Sequence, residues 1–227
     1  MILKQAEAAE FATHFGQIAD HVDQAILGKG HQVRLVLAAF LAGGHVLLED
    51  APGTGKTALA RALAASVAAS HSRIQFTPDM LPTDITGVTV YDQQTKEWDF
   101  HSGPVFANIV LADEINRASP KTQSALLEVM EEHQVSVDGV IHPVESPFLV
   151  IATQNPVEQA GTYKLPEAQL DRFLIKVSLG YPDKETTIKI LSGASQPDLS
   201  KNLKAVVKAE EIISLGQMGL RNYVDEQ

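Results

Sequence analysis

The sequence predicts an α/β fold built on a parallel sheet covered by helices on both faces, and three observations predict it. Five short β-rich runs recur between helical stretches, at 45–50, 73–77, 109–114, 148–155 and 173–179. Their middles (HVLL, IVLA, FLVIA) are continuously apolar, as in strands buried on both faces. A glycine-rich turn joins the first run to a helix, the entry to a phosphate-binding βα unit.

Each element has a local reason. Residues 7–26 and 32–41 read as helices before the first strand. Residues 56–69 form a helix with Leu59, Leu63 and Val67 on one face. Another opens at Ser119, a good N-cap, with Pro120 at the first helical position and Leu126, Leu127 and Met130 as its buried stripe. Two excursions read as β-hairpins, at 88–100 with a polar QQTKE tip and at 135–144 around Asp138-Gly139. After Gly180-Tyr181-Pro182 the strand signals stop. Residues 183–227 are charged and helical in composition, the expected start of a small helical domain.

Composition narrows the function classes. The 227 residues carry 18 Lys plus Arg against 28 Asp plus Glu, a net charge of −10, and 44% are hydrophobic. That apolar fraction is normal for a globular domain. The absence of cysteine excludes disulfides, Cys-ligated zinc, iron–sulfur clusters and thiol catalysis, and it fits a cytoplasmic location. The acidity disfavours a nucleic acid as partner. The longest near-apolar run, 35–48, is interrupted by His45 and two glycines and is too short for a membrane span. No histidine stands at metal-ligand spacing with another.

Three strand ends carry the chemistry. The first runs into Asp50, Ala51, Pro52, Gly53, Thr54, Gly55, Lys56, Thr57 and Ala58. Glycines let backbone amides curl around phosphates, Lys56 would reach the β- and γ-phosphates, and the Thr57 hydroxyl would bind Mg²⁺. The general pattern has glycine where this chain has Asp50. The second, IVLADE, ends in Asp113, suited to the Mg²⁺ shell, and Glu114, suited to polarising water for in-line attack. The third ends at Asn155, whose amide would orient water and sense the γ-phosphate if its strand lies beside the first.

With these residues in place, the chain resembles AAA+ ATPases, specifically the MoxR family. The likeness covers about residues 20–182 and rests on GHVLLEDAPGTGKT, FTPDMLPTDITG, GPVFANIVLADEINRASPKTQSALLEVMEEHQVSVDG, ATQNPVEQAGTYKLPEAQLDRFL and GYP. It implies a P-loop three-layer sandwich with a five-stranded sheet of order 5-1-4-3-2, a helix-2 insert at 88–100 and a hairpin before sensor 1, the role it gives Asn155. It divides the chain into a core, 1–182, and a partial lid, 183–227. It makes Asp50 ordinary, because the family commonly carries an acid or glycine there. Arg172 matches the family's arginine finger, which would reach a neighbour's nucleotide; a salt bridge with Glu167 or Asp171 is the structural alternative. Arg117 would either couple subunits or pack. The family's base contacts fall on Ile26, Leu27 and Gly28, residues that suit an adenine and a core equally. No arginine occupies a sensor 2 position: GASQPD at 193–198 lacks one, and only Arg221 follows Arg172.

The resemblance thus implies a homo-hexameric, Mg²⁺-dependent ATPase that binds ATP and ADP. Its partners would be protein clients, von Willebrand A-domain proteins among them, which it would remodel or mature. A nucleotide-gated scaffold with little turnover and a nucleic-acid motor are the rival readings.

Overall fold

The computed structural model describes residues 3–50, 53–155, 162–192 and 203–221. Its centre is a parallel sheet of β1 (Val46–Glu49), β2 (His71–Gln75), β5 (Ile109–Asp113), β8 (Leu149–Gln154) and β9 (Ile175–Val177), in the order β2-β5-β8-β1-β9. Counted along the chain and read from the other edge, this is the 5-1-4-3-2 order. The acid-bearing β5 and the P-loop strand β1 therefore flank β8.

The apolar runs explain the layering. Alternate residues of each central strand enter different cores. Val46, Leu48, Ile109, Leu111, Leu149 and Ile151 face one cluster, which they share with α1 (Gln5–Asp23), α2 (Gly30–Leu41) and α3 (Lys56–Ser66). Leu47, Val110, Ala112, Val150 and Ala152 face the other, which includes Leu126, Leu127 and Met130 of α5 (Pro120–Glu132). Two-sided burial removes the need for polar alternation, which is why the strands read as solid apolar blocks. The α5 cap forms as expected: Ser119 Oγ accepts from the Thr122 amide at 3.3 Å.

Both hairpins form, as β3 (Gly87–Asp92) with β4 (Glu97–Ser102) and β6 (Gln134–Val137) with β7 (Val140–Pro143). A five-residue helix, α4 (Pro82–Thr86), precedes the first. β2 lies two residues earlier than its apolar content suggests. As an edge strand its limits follow pairing with β5, not burial.

The two C-terminal helices pack in different places. α7 (Lys184–Leu191) starts beside the loop after α1, where Thr186 abuts Gly28. α8 (Ala209–Leu220) instead buries Ile212 and Leu215 in the cluster with α1 and α2. The amides of Val206 and Val207, just before it, bond the carbonyl of Ser66, at the far end of α3 from the P-loop. α8 is thus part of the core, at the end of the sheet where strands begin, and does not cover the P-loop. Arg221 at its end pairs with Glu7 of α1 at 2.9 Å. Residues 193–198 lie outside the described residues.

Candidate nucleotide site

Sequence places the glycines of the first turn where L side chains would be strained. Gly53 and Gly55 have φ of 82° and 94°. Gly55 is the N-cap of α3, so the turn ends by aiming the first amides of that helix into a cleft. The cleft, about 480 Å³, is lined by residues 53–58, Arg73, Gln75, Asp113 and Glu114. Lys56 Nζ donates to the Asp50 carbonyl at 3.3 Å, which folds the lysine back along its own loop. Thr57 lines the same cleft as Asp113. Ala51 and Pro52 lie outside the described residues.

The two acids are held from the same neighbouring strands, β2 and β8. Asp113 Oδ1 accepts from the buried Thr153 Oγ1 at 2.6 Å, and Oδ2 takes Arg73 Nη2 at 2.6 Å. Thr153 Oγ1 also accepts from the Glu114 amide at 2.9 Å, so one hydroxyl of β8 orients both acidic residues. Glu114 Oε2 accepts from Gln75 Nε2 at 3.1 Å and from Arg117 Nη1 at 2.9 Å. Glu114 has φ 57° and ψ 48°, a left-handed conformation that few non-glycine residues adopt.

A hard, oxygen-only donor set of one carboxylate and one hydroxyl suits Mg²⁺, which retains waters and shares nucleotide phosphates. Among the described residues no group of three or more His, Cys, Asp or Glu comes together, so a cation here would draw its other ligands from nucleotide and water. Asp113 already carries a cationic partner, Arg73, so its carboxylate is placed to accept a positive charge.

Asp50 takes a different part from the one its position suggested. Its carboxylate, 4% exposed, accepts from Ser178 Oγ at 2.9 Å and from the amides of Leu179 and Gly180 at 2.6 and 2.9 Å. Three donors hold it, so it clamps the P-loop to the chain leaving β9. Ile26 is buried in the core with α1 and α2. Leu27 is half-buried, and Gly28, with φ 76°, lies against Thr186. The next residue, Lys29, is buried and donates from Nζ to the Tyr181 carbonyl at 3.0 Å.

Asn155 follows β8 between the P-loop and acid strands, and lines a neighbouring cleft with Glu49, Asn116 and Lys164. Arg172 is not among the residues lining its own chain's phosphate cleft. It donates to the Leu127 carbonyl at 2.6 Å and pairs with Glu131 at 2.7 Å, rather than with Glu167 or Asp171. Arg117, by contrast, sits on Glu114.

Sequence reasoning missed Arg73, Gln75 and Thr153. A hydroxyl inside an otherwise apolar strand was the available signal for Thr153. Arg73 and Gln75, two apart on one strand, share a face by the period of two; nothing local said which strand they would meet.

A glycine turn capping a helix, with paired acids two strands over, defines a P-loop nucleotide-binding fold. Residues 45–175 match the family described as "ATPase family associated with various cellular activities (AAA)". The chain is 54% identical over 200 residues to YeaC of Bacillus subtilis, covering 88% of this chain and 62% of that one. It is 47% identical over 205 residues to Chaperone MoxR1 of Mycobacterium tuberculosis, covering 89% and 53%. A solved structure from Cytophaga hutchinsonii, described as a candidate ATPase, aligns with TM-score 0.83 at 40% identity, covering 92% of this chain and 64% of that one. The chain belongs to the MoxR family of AAA+ ATPases. It spans between half and two thirds of the length of these relatives.

Proposed function

We propose that this chain is the catalytic core of a ring-forming ATPase that hydrolyses Mg²⁺·ATP to remodel or mature a protein partner. The observation that carries this reading is the convergence of Asp113 and Glu114 on the cleft shared with Lys56, Thr57 and the start of α3.

The α3 amides and Lys56 bind the phosphates, the lysine leaving the Asp50 carbonyl to do so. Thr57 and Asp113 would hold Mg²⁺, which would supply positive charge to offset the negative charge that develops on the phosphates. Glu114 accepts a proton from an in-line water, its carboxylate oriented by Gln75 and its backbone by Thr153. Asn155, at the end of the strand between, senses the γ-phosphate. Because Arg172 does not line its own cleft, it serves a neighbour in a homo-hexamer, where a cation is worth roughly 10³–10⁵ in rate. Residues 1–182 supply this machinery, and α7 begins the segment that would cover it.

The protein-remodelling role draws support from the name of the Mycobacterium tuberculosis relative, a chaperone. Von Willebrand A-domain proteins are the client class we favour. Among the described residues no helix is long and apolar enough to cross a membrane. A cytoplasmic site of action is part of the proposal.

Steady-state phosphate release by wild type and by Glu114→Gln tests the enzymatic reading. The variant is expected to bind ATP with wild-type affinity and release phosphate at least about 100-fold more slowly, the scale of a lost general base. Equal release from both would refute it.

A further inference from the structure

Asp113 is the carboxylate to which the proposed function assigns the metal, and each of its oxygens has a partner of a different kind. Thr153, on Oδ1, is wholly buried on a central strand and cannot withdraw without unpacking β8. Arg73, on Oδ2, stands on the edge strand β2 with a side chain 48% exposed. A long side chain rooted on an edge has solvent to move into. Arg73 Nη2 also donates to Gln75 Oε1 at 2.6 Å, a neutral acceptor on the same strand that can retain the guanidinium once it leaves the carboxylate.

A divalent cation that reaches Asp113 from the phosphate side meets this arginine. Two positive groups on one carboxylate repel each other at close range, and the low exposure of Asp113 limits screening between them. Lys56 adds a further positive charge to the same cleft.

We propose that Arg73 is the resident counter-ion of Asp113 and competes with the metal for Oδ2, so that it sets how much free divalent cation the nucleotide site requires. This rests on the reading of Asp113 as a metal ligand. Arg73 is then a positioning residue: it keeps a buried carboxylate paired until metal and nucleotide arrive together, and it yields one oxygen when they do. Neutralising it relieves the competition, while a lysine of the same charge largely preserves it.

Mn²⁺ titrated into the chain in saturating ADP, followed by electron paramagnetic resonance of the free ion, reads the competition without turnover. Arg73→Gln is expected to bind Mn²⁺ roughly three- to tenfold more tightly than wild type, the scale of removing one partly screened charge. Arg73→Lys is expected to stay within about twofold of wild type. Urea unfolding without metal monitors the fold, and a lower midpoint for Arg73→Gln accompanies the loss of Asp113's partner. Unchanged or weaker Mn²⁺ binding by Arg73→Gln would overturn the inference and leave Arg73 a structural pair. If wild type itself shows no saturable Mn²⁺ binding, the metal assignment of Asp113 falls, and this inference with it.

Discussion

His45 makes the stability of the P-loop strand depend on pH. It precedes β1 at 4% exposure, with Nε2 donating to the Met130 carbonyl of α5 and Nδ1 accepting from the Val150 amide of β8, both at 3.0 Å. This arrangement requires the neutral ring, because a protonated Nδ1 would face an N–H donor. Burial, opposed by the bond to Met130 and aided by nearby His133, pulls its pKa from 6.5 to about 4. At about 1.4 kcal/mol per pH unit, the gap is worth roughly 3 kcal/mol. Between 4 and 6.5 the unfolded chain binds the proton that the folded chain refuses. The contribution is therefore complete above pH 6.5, declines as pH falls, and is gone by about pH 4. Urea unfolding from pH 7.5 to 5 checks it against His45→Gln, which cannot titrate. The variant is less stable throughout, since it cannot satisfy both bonds, but wild type should lose about 2 kcal/mol over that range beyond what the variant loses. Carboxylates common to both chains cancel in the difference. Parallel profiles, within about 0.5 kcal/mol, would refute a neutral, buried His45 as the source.

Three further outcomes follow from the site. Arg172→Ala should retain ATP binding and lose roughly 10³-fold or more in turnover, and wild-type specific activity should rise with protein concentration; concentration-independent turnover would rule out action between subunits. Thr153→Val keeps shape but leaves the Glu114 amide without its acceptor. It should cost about 1–3 kcal/mol in urea unfolding and slow phosphate release while sparing ADP affinity. Asp50→Asn sets an amide among three donors and should lower stability by about 2–3 kcal/mol in the same assay, with wild-type stability disproving the clamp.

Much of this was legible in the chain because it is written locally. The Ser119-Pro120 cap, the Asp138-Gly139 turn and the glycines before Lys56 each fix a backbone shape by their own chemistry. The two-sided burial of β5 and β8 was legible because solid apolar runs admit few other placements. What sequence could not show depends on partners distant in the chain. Asp50 reads as part of a phosphate loop until the amides of Leu179 and Gly180 are brought to it across more than a hundred residues. Ile26 suits a flat base as well as a core, and its burial with α1 and α2 depends on helices that only the fold brings together. The same holds for α8: an amphipathic helix declares that it has an apolar face, not which surface will cover it.

The paired acids show how local strain and distant support combine in one site. Successive residues of a strand point to opposite faces, so an extended Asp113-Glu114 would send its carboxylates apart. The left-handed turn at Glu114 breaks that alternation, and both side chains line the same cleft. Such a conformation costs a non-glycine residue on the order of 1 kcal/mol, and it persists only where neighbours over-determine it. Here they do: Thr153 takes the Glu114 amide, and the Glu114 carbonyl accepts from the Arg117 amide at 2.9 Å. Glycine at this position would relax the turn but discard the carboxylate. In the proposed mechanism the turn puts both carboxylates in one cleft, one for a cation and one for a water.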